Sequence, residues 1–185
     1  MPGKLCPVWI GYLLASPLRK LLQNPHRILG PYVQEGMQVL DIGCAMGFFS
    51  LALARMVGMD GEVICVDVQE KMIRSLEKRA RKEGLSNRIQ TRICPKISLG
   101  LHDLAGDIDF ALAFAIVHEV PDVSSLFSEM YETLKQNGRA LIAEPKGHVS
   151  EKDFEATASI AEQCGFIRIG RPDVARSRAI LFEKS

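Results

Sequence analysis

The chain has 185 residues, and 23 Lys and Arg against 22 Asp and Glu leave a formal net charge of +1. Nothing in that balance points to nucleic acid or a charged membrane surface as a partner. The length supports a single domain, 1–185, with a sizeable core, and no repeat, low-complexity tract or interdomain linker is visible.

Residues 1–35 read as a helical cap. The apolar run 8–15 is too short to cross a bilayer, which takes about 20 apolar residues, and it runs into a basic RKLL stretch. Ser16-Pro17 and Asn24-Pro25 each place a capping side chain before a proline, the pattern of a helix start. Leu18, Leu21 and Leu22 mark one apolar face, and Ile28, Leu29 and Val33 the next. Gly36 ends the cap.

Residues 39–54, VLDIGCAMGFFSLALA, read as a buried strand, a turn of small residues and an apolar helix from Phe48. Such a junction brings Asp41 to the carboxyl edge of a sheet and leaves helix N–H groups beside it, as nucleotide sites require. A dinucleotide fingerprint needs a third glycine where Phe48 stands, and Phe48 obstructs that close packing. Read as D-x-G-x-x-x-G, the stretch resembles motif I of the class I S-adenosylmethionine (SAM) methyltransferases. Their usual pattern is E/D-x-G-x-G-x-G, and Ala45 replaces the middle glycine. Alanine is expected there only if its φ is negative.

The helix after motif I runs to about Val57 and stops at Gly58 and Gly61. A second strand, 62–67, ends in Asp67, 20 residues after Gly47. The next helix, 69–83, buries Met72, Ile73, Leu76 and Ala80; Lys78, Arg79, Arg81 and Lys82 alternate with glutamates as a solvated face. A third strand covers 88–93, and 95–106 is weakly patterned. A fourth strand, 108–115, leads to a helix over 122–136 that buries Leu126, Phe127, Met130, Tyr131 and Leu134. A fifth strand covers 139–144. Ser150 and Asp153 resemble a capping box for a helix reaching Cys164, and strands follow at 166–170 and 178–182.

Alternating strands and helices argue a parallel sheet. The last two strands are too close in sequence for a parallel crossover, so they form an antiparallel hairpin. The expected fold is therefore α/β, a Rossmann-like doubly wound sheet of six parallel strands and an antiparallel seventh, as in the class I methyltransferases. The core spans 36–185.

The resemblance implies SAM as cofactor, S-adenosylhomocysteine as product, and site residues by position. Motif I supplies Asp41, Gly43, Cys44, Ala45, Gly47, Phe48 and Phe49. Asp67, beside Val68, is placed to accept both ribose hydroxyls; capping the following helix is its structural alternative. Where the family often has an acid on the adenine, this chain has Cys94-Pro95. Ala113, Phe114 and Ala115 line the cofactor's methionine end. His118 and Glu119, in a stretch related to H-x-V-x-D, begin the acceptor side, with His118 a candidate base. Glu144, Lys146 and His148 form a second acceptor wall, and Trp9 and Tyr12 close over the site.

The strongest general resemblance is to the ubiquinone/menaquinone C-methyltransferase-like group (methyltransferase type 11-like), which acts on small molecules. Expected are a small-molecule acceptor, no metal, no nucleic acid, no membrane association, a cytoplasmic location and a homodimer. Cys6, Cys44, Cys65, Cys94 and Cys164 are odd in number and form no C-x-x-C pair, so they read as reduced thiols. Rival readings are a SAM-binding regulator or partner subunit, an arsenite methyltransferase using Cys6, Cys94 or Cys164, and a nicotinamide oxidoreductase, against which Phe48 and the terminal hairpin argue.

Overall fold

In the computed structural model, which describes residues 23–185, seven strands form one sheet of order β3-β2-β1-β4-β5-β7-β6. Trp9, Tyr12, Cys6 and the helix start at Ser16-Pro17 lie outside the described residues. The strands fall in two compact units, one closing at Cys94 and the other opening at Pro95.

The first unit opens with helix α1, Pro25–Leu29, where the Asn24 side chain accepts the His26 N–H at 3.0 Å. Strands β1 (Gln38–Ile42), β2 (Glu62–Asp67) and β3 (Ile89–Ile93) are parallel neighbours, with Asp41 opposite Cys65 and Asp67 opposite Ile93. Val39, Leu40, Ile42, Val63, Ile64 and Val66 are all buried. A strand covered on both faces has no room for polar alternation, which is why β1 and β2 read as continuous apolar runs. Helix α2 spans Ser50–Met56, but its hydrogen bonding already begins where Leu51 N–H donates to Gly47. The expected start at Phe48 differs only by the fraying common at helix ends.

Helix α3, Glu70–Lys82, buries Met72, Ile73, Leu76 and Ala80 as its 3.6-residue pattern requires. One of its basic residues departs from the expected solvated face. Arg79 is half-buried, and its guanidinium donates to the carbonyl of Met46. Partial desolvation pulls its pKa down without threatening its charge.

The second unit pairs β4 (Ile108–Phe114) parallel with β5 (Leu134–Pro145) and β5 antiparallel with β7 (Ser177–Lys184), which pairs with β6 (Phe166–Gly170). The terminal hairpin is thus antiparallel, as the short connection demands. Helix α4, Val123–Thr133, ends earlier than its apolar pattern suggests. Leu134 has left the helix to pair with Ile108, and the ladder resumes at Phe110 with Arg139. Lys135, Gln136 and Asn137 bulge outward, and Asn137 turns the chain at φ +61. A sheet contact made by Leu134 therefore overrides the helical periodicity that included it.

Helix α5, Glu151–Gln163, starts at the expected capping box: Ser150 accepts the Asp153 N–H at 3.1 Å and donates its hydroxyl to the Asp153 carboxylate at 2.6 Å. Phe127, Phe166 and Phe182 meet with ring centroids 5.7 to 6.5 Å apart at the centre of this unit's core. The weakly patterned segment before β4 is organised by Glu129 on α4. Its carboxylate accepts Ser98 Oγ–H at 3.0 Å and the Leu99 and Gly100 N–H groups at 2.7 and 3.2 Å. Among the described residues no helix is long and apolar enough to cross a membrane.

Candidate functional site

In the first unit the site-forming residues gather at the carboxyl ends of β1 and β2. Gly43 and Cys44 donate their N–H groups to the carbonyl of Val66, at 2.9 and 3.1 Å. The turn is thereby tied to the strand carrying Asp67. Ala45 then adopts φ +46, contrary to the negative φ expected of an alanine. A left-handed alanine costs roughly 1–2 kcal/mol. Its N–H donates to Asp67 Oδ2 at 3.0 Å, a charge-assisted bond that offsets the strain. Gly47 is also left-handed, at φ +82, and a Cβ there would meet Leu76 Cδ1 at 2.3 Å.

Asp67 Oδ1 accepts the Gln69 N–H at 2.8 Å, so the carboxylate also caps the approach to α3. It is buried, and burial raises its pKa against the lowering effect of these N–H bonds. Asp41 is buried too, accepting the Ser50 hydroxyl at 2.5 Å. Desolvation pushes its pKa up to about 7. Asp41 therefore clamps the first turn of α2 through Ser50. A serine in the otherwise apolar FFSLALA was the signal for that partner.

Phe48 and Phe49 are buried, with rings edge to face at 5.0 Å. Phe48 lines a cavity of about 190 Å³ with Arg55, Arg79 and Glu83. Cys44 is buried beside Cys65, and desolvation drives its thiol well up. Cys94 donates its N–H to the carbonyl of Asp67 at 3.2 Å, and Val68 is half-buried.

In the second unit Ala113 and Phe114 are buried in β4, and Pro95, at the unit's start, is exposed. Ala115 turns out of the strand at φ +58 and donates its N–H to Ala143 at 2.7 Å. This reversal aims the next two N–H groups, of Ile116 and Val117, at Glu144 Oε1, at 3.2 and 2.8 Å. The other oxygen, Oε2, bonds His118 Nδ1. Glu144, expected on an acceptor wall, is 1% exposed. Three donors of the His118 loop converge on its carboxylate, two on Oε1 and one on Oε2.

His118 keeps its side chain 26% exposed, and the bond to Glu144 raises its pKa over the opposing effect of partial burial. The His148 ring meets His118 edge to face at 5.8 Å. Lys146 and His148 are exposed on the turn after β5, and Glu119 is partly exposed in the 3-10 turn Val117–Glu119. The structure thus brings His118, Glu144 and His148 together. The direct bond between the first two was not legible in a spacing of 26 residues.

With this geometry in place, comparison with known proteins is decisive. A family model described as a methyltransferase domain matches residues 33–177. The chain belongs to the methyltransferase domain family. A demethylmenaquinone methyltransferase of Lactobacillus johnsonii is 33% identical over 112 residues, 60% of this chain and 45% of the relative. A ubiquinone/menaquinone biosynthesis C-methyltransferase, UbiE, of a Marinomonas species is 27% identical over 154 residues, 83% of this chain and 59% of the relative. This methyltransferase domain therefore spans about half the length of the curated relatives it matches. A crystal structure of a SAM-dependent methyltransferase from Aquifex aeolicus superposes with a TM-score of 0.87 at 23% identity, covering 97% of this chain and all of that one. The fold is accordingly the Rossmann-like methyltransferase fold expected from the alternating elements and terminal hairpin.

Proposed function

We propose that this methyltransferase domain transfers a methyl group from SAM to a small-molecule acceptor. The observation that carries the reading is the bond joining Ala45 of the motif I turn to Asp67 at the end of β2. It makes the turn and the ribose-binding acid one preformed unit. Asp67 Oδ2 accepts the Ala45 N–H and Oδ1 the Gln69 N–H, the Val68 N–H also lowers the carboxyl's pKa, and a carboxylate offers about four lone-pair sites. The acceptor capacity left on this carboxylate suits a ribose hydroxyl. Asp41 and Ser50 hold the start of α2 beneath the turn, and Arg79 steadies its middle through Met46.

When bound, SAM supplies a methyl carbon already activated by the adjoining sulfonium charge. The chain then has to bind, align the acceptor's nucleophile and exclude water. Alignment of this kind is worth up to roughly 7–11 kcal/mol of a barrier. The names of the relatives direct the first acceptor screen to quinone-related compounds.

The test is calorimetric titration of the purified chain with S-adenosylhomocysteine, with NAD as control. Micromolar binding of the former alone is expected. Binding of NAD alone, or of neither, would overturn the proposal.

A further inference from the structure

We propose that the cavity bounded by α1, α2 and α3 is a second ligand site, built for a small aromatic carboxylic acid and coupled to the motif I turn through Arg79. Its volume is about 190 Å³. Pro25, Phe48, Leu51 and Ala52 give it apolar walls, and all four are buried. Arg55, Arg79 and Glu83 supply its charged groups. Every lining residue belongs to the unit that closes at Cys94. Asp41, Gly43 and Asp67 are not among them. Arg55 lies in the last turn of α2 and Glu83 just past the end of α3. Helices that follow parallel strands begin at the carboxyl edge of the sheet and end at the opposite edge, so the Arg55–Glu83 pair lies toward the edge opposite Asp67.

Two guanidiniums in this cavity share one carboxylate. Arg55 donates to Glu83 and, at 2.9 Å, to the carbonyl of Leu51. Arg79 donates to the carbonyl of Met46, which carries no charge to balance it. Desolvation, together with the Arg55 charge, disfavours the Arg79 cation, and Glu83 alone supports it. The cavity is thus one anion short. A guanidinium has further N–H groups beyond a single bond, in a planar fork that a carboxylate fills with two parallel bonds. The apolar walls select the rest of the ligand. A dry apolar cavity of about 150 Å³ takes up benzene, so this one has room for a ring with a carboxylate attached. The ring packs against Phe48 as aromatic pairs do. Inorganic phosphate would answer the charge and leave the apolar walls uncovered, and an amine would add to the repulsion.

Arg79 joins this cavity to the motif I turn. The carbonyl it holds belongs to Met46, whose neighbour Ala45 donates its N–H to Asp67. A carboxylate on Arg79 relieves the repulsion from Arg55 and fixes the side chain in the rotamer that reaches Met46. An arginine side chain loses much rotamer freedom when it is fixed, and that loss is incurred once, whichever ligand binds first. The second ligand then binds more tightly. This coupling rests on the reading of the turn as the SAM site, whereas occupancy of the cavity does not.

The test titrates 4-fluorobenzoate into the full chain and follows it by fluorine NMR. Saturable binding is expected, with the neutral 4-fluorobenzyl alcohol at least tenfold weaker and inorganic phosphate unable to displace the probe. R79Q should weaken the probe at least tenfold, and A52L, which fills the cavity, should abolish its binding. If R79Q does not fold, A52L and the neutral analogue decide. No saturable binding, equal binding of the alcohol, displacement by phosphate, or unchanged affinity in folded R79Q and A52L would each overturn the site. The coupling is read by calorimetry with S-adenosylhomocysteine, whose affinity should rise about fivefold when the probe is saturating. Unchanged affinity would overturn the coupling, and a competitive loss would place the probe in the cofactor site and overturn the proposal. If S-adenosylhomocysteine does not bind at all, the methyl-transfer reading fails, and the probe titrations still decide the cavity.

Discussion

Ala45 donates its backbone N–H to the carboxylate of Asp67 at 3.0 Å, across 22 residues of chain. A strained alanine and a buried acid thereby stabilise each other. Removing the acid tests both of its roles. Asp67→Ala is expected to weaken S-adenosylhomocysteine binding at least tenfold, about 1.4 kcal/mol, measured by calorimetry on protein shown folded by circular dichroism. Unchanged affinity would remove Asp67 from the ribose site.

Replacing the strained partner tests the other end of that bond. Ala45→Gly relieves the left-handed penalty without touching the N–H that reaches Asp67. Gly also loses more entropy on folding, so the net gain is limited to roughly 1 kcal/mol. The midpoint of thermal unfolding should rise by a few degrees, with cofactor-product affinity unchanged. A lower midpoint would mean that the alanine methyl makes a contact worth more than the strain.

Gly47→Ala should act in the opposite direction. The new methyl meets Leu76 Cδ1 at 2.3 Å in a left-handed backbone. A loss of about 1–3 kcal/mol in urea unfolding is expected, because both the steric and the conformational terms oppose alanine. A stability equal to wild type would show that Leu76 repacks freely.

Asp41 makes stability depend on pH. Its folded pKa of about 7 stands above the usual carboxyl value of 3.8. Between these values the folded protein holds a proton that the unfolded chain has released, so its contribution is fully present below the lower value and is lost as pH rises through about 7. The slope is at most about 1.4 kcal/mol per pH unit. His118, with a raised pKa, acts in the same sense, losing its contribution as pH rises through its folded value. Urea unfolding of Asp41→Asn between pH 5 and 7.5 should show a flatter profile than wild type. An equally steep profile would assign the dependence to other groups.

Ser50→Ala removes the one hydroxyl that Asp41 accepts. Leaving the buried carboxyl with one partner fewer is expected to cost about 1–3 kcal/mol. A variant as stable as wild type by urea titration would indicate that Asp41 is neutral and well accommodated without the hydroxyl.

The sequence by itself determined the alternation of strands and helices, the antiparallel terminal hairpin and the motif I turn. These are local: a strand buried on both faces must be apolar throughout, a helix start needs a cap, and a short connection cannot cross over in parallel. Asp41, Asp67 and His118 were recognisable because each ends a strand or follows one. Only the tertiary structure decided what these residues touch. The φ of Ala45 turned positive because Asp67, distant in sequence, supplied an acceptor. Leu134 left its helix because Ile108 offered a strand partner. Glu144 became the anchor of the His118 loop because three donors of that loop converged on it. Hydrogen bonds between residues 22 to 28 positions apart have no periodicity to betray them, and folding alone brings their ends together.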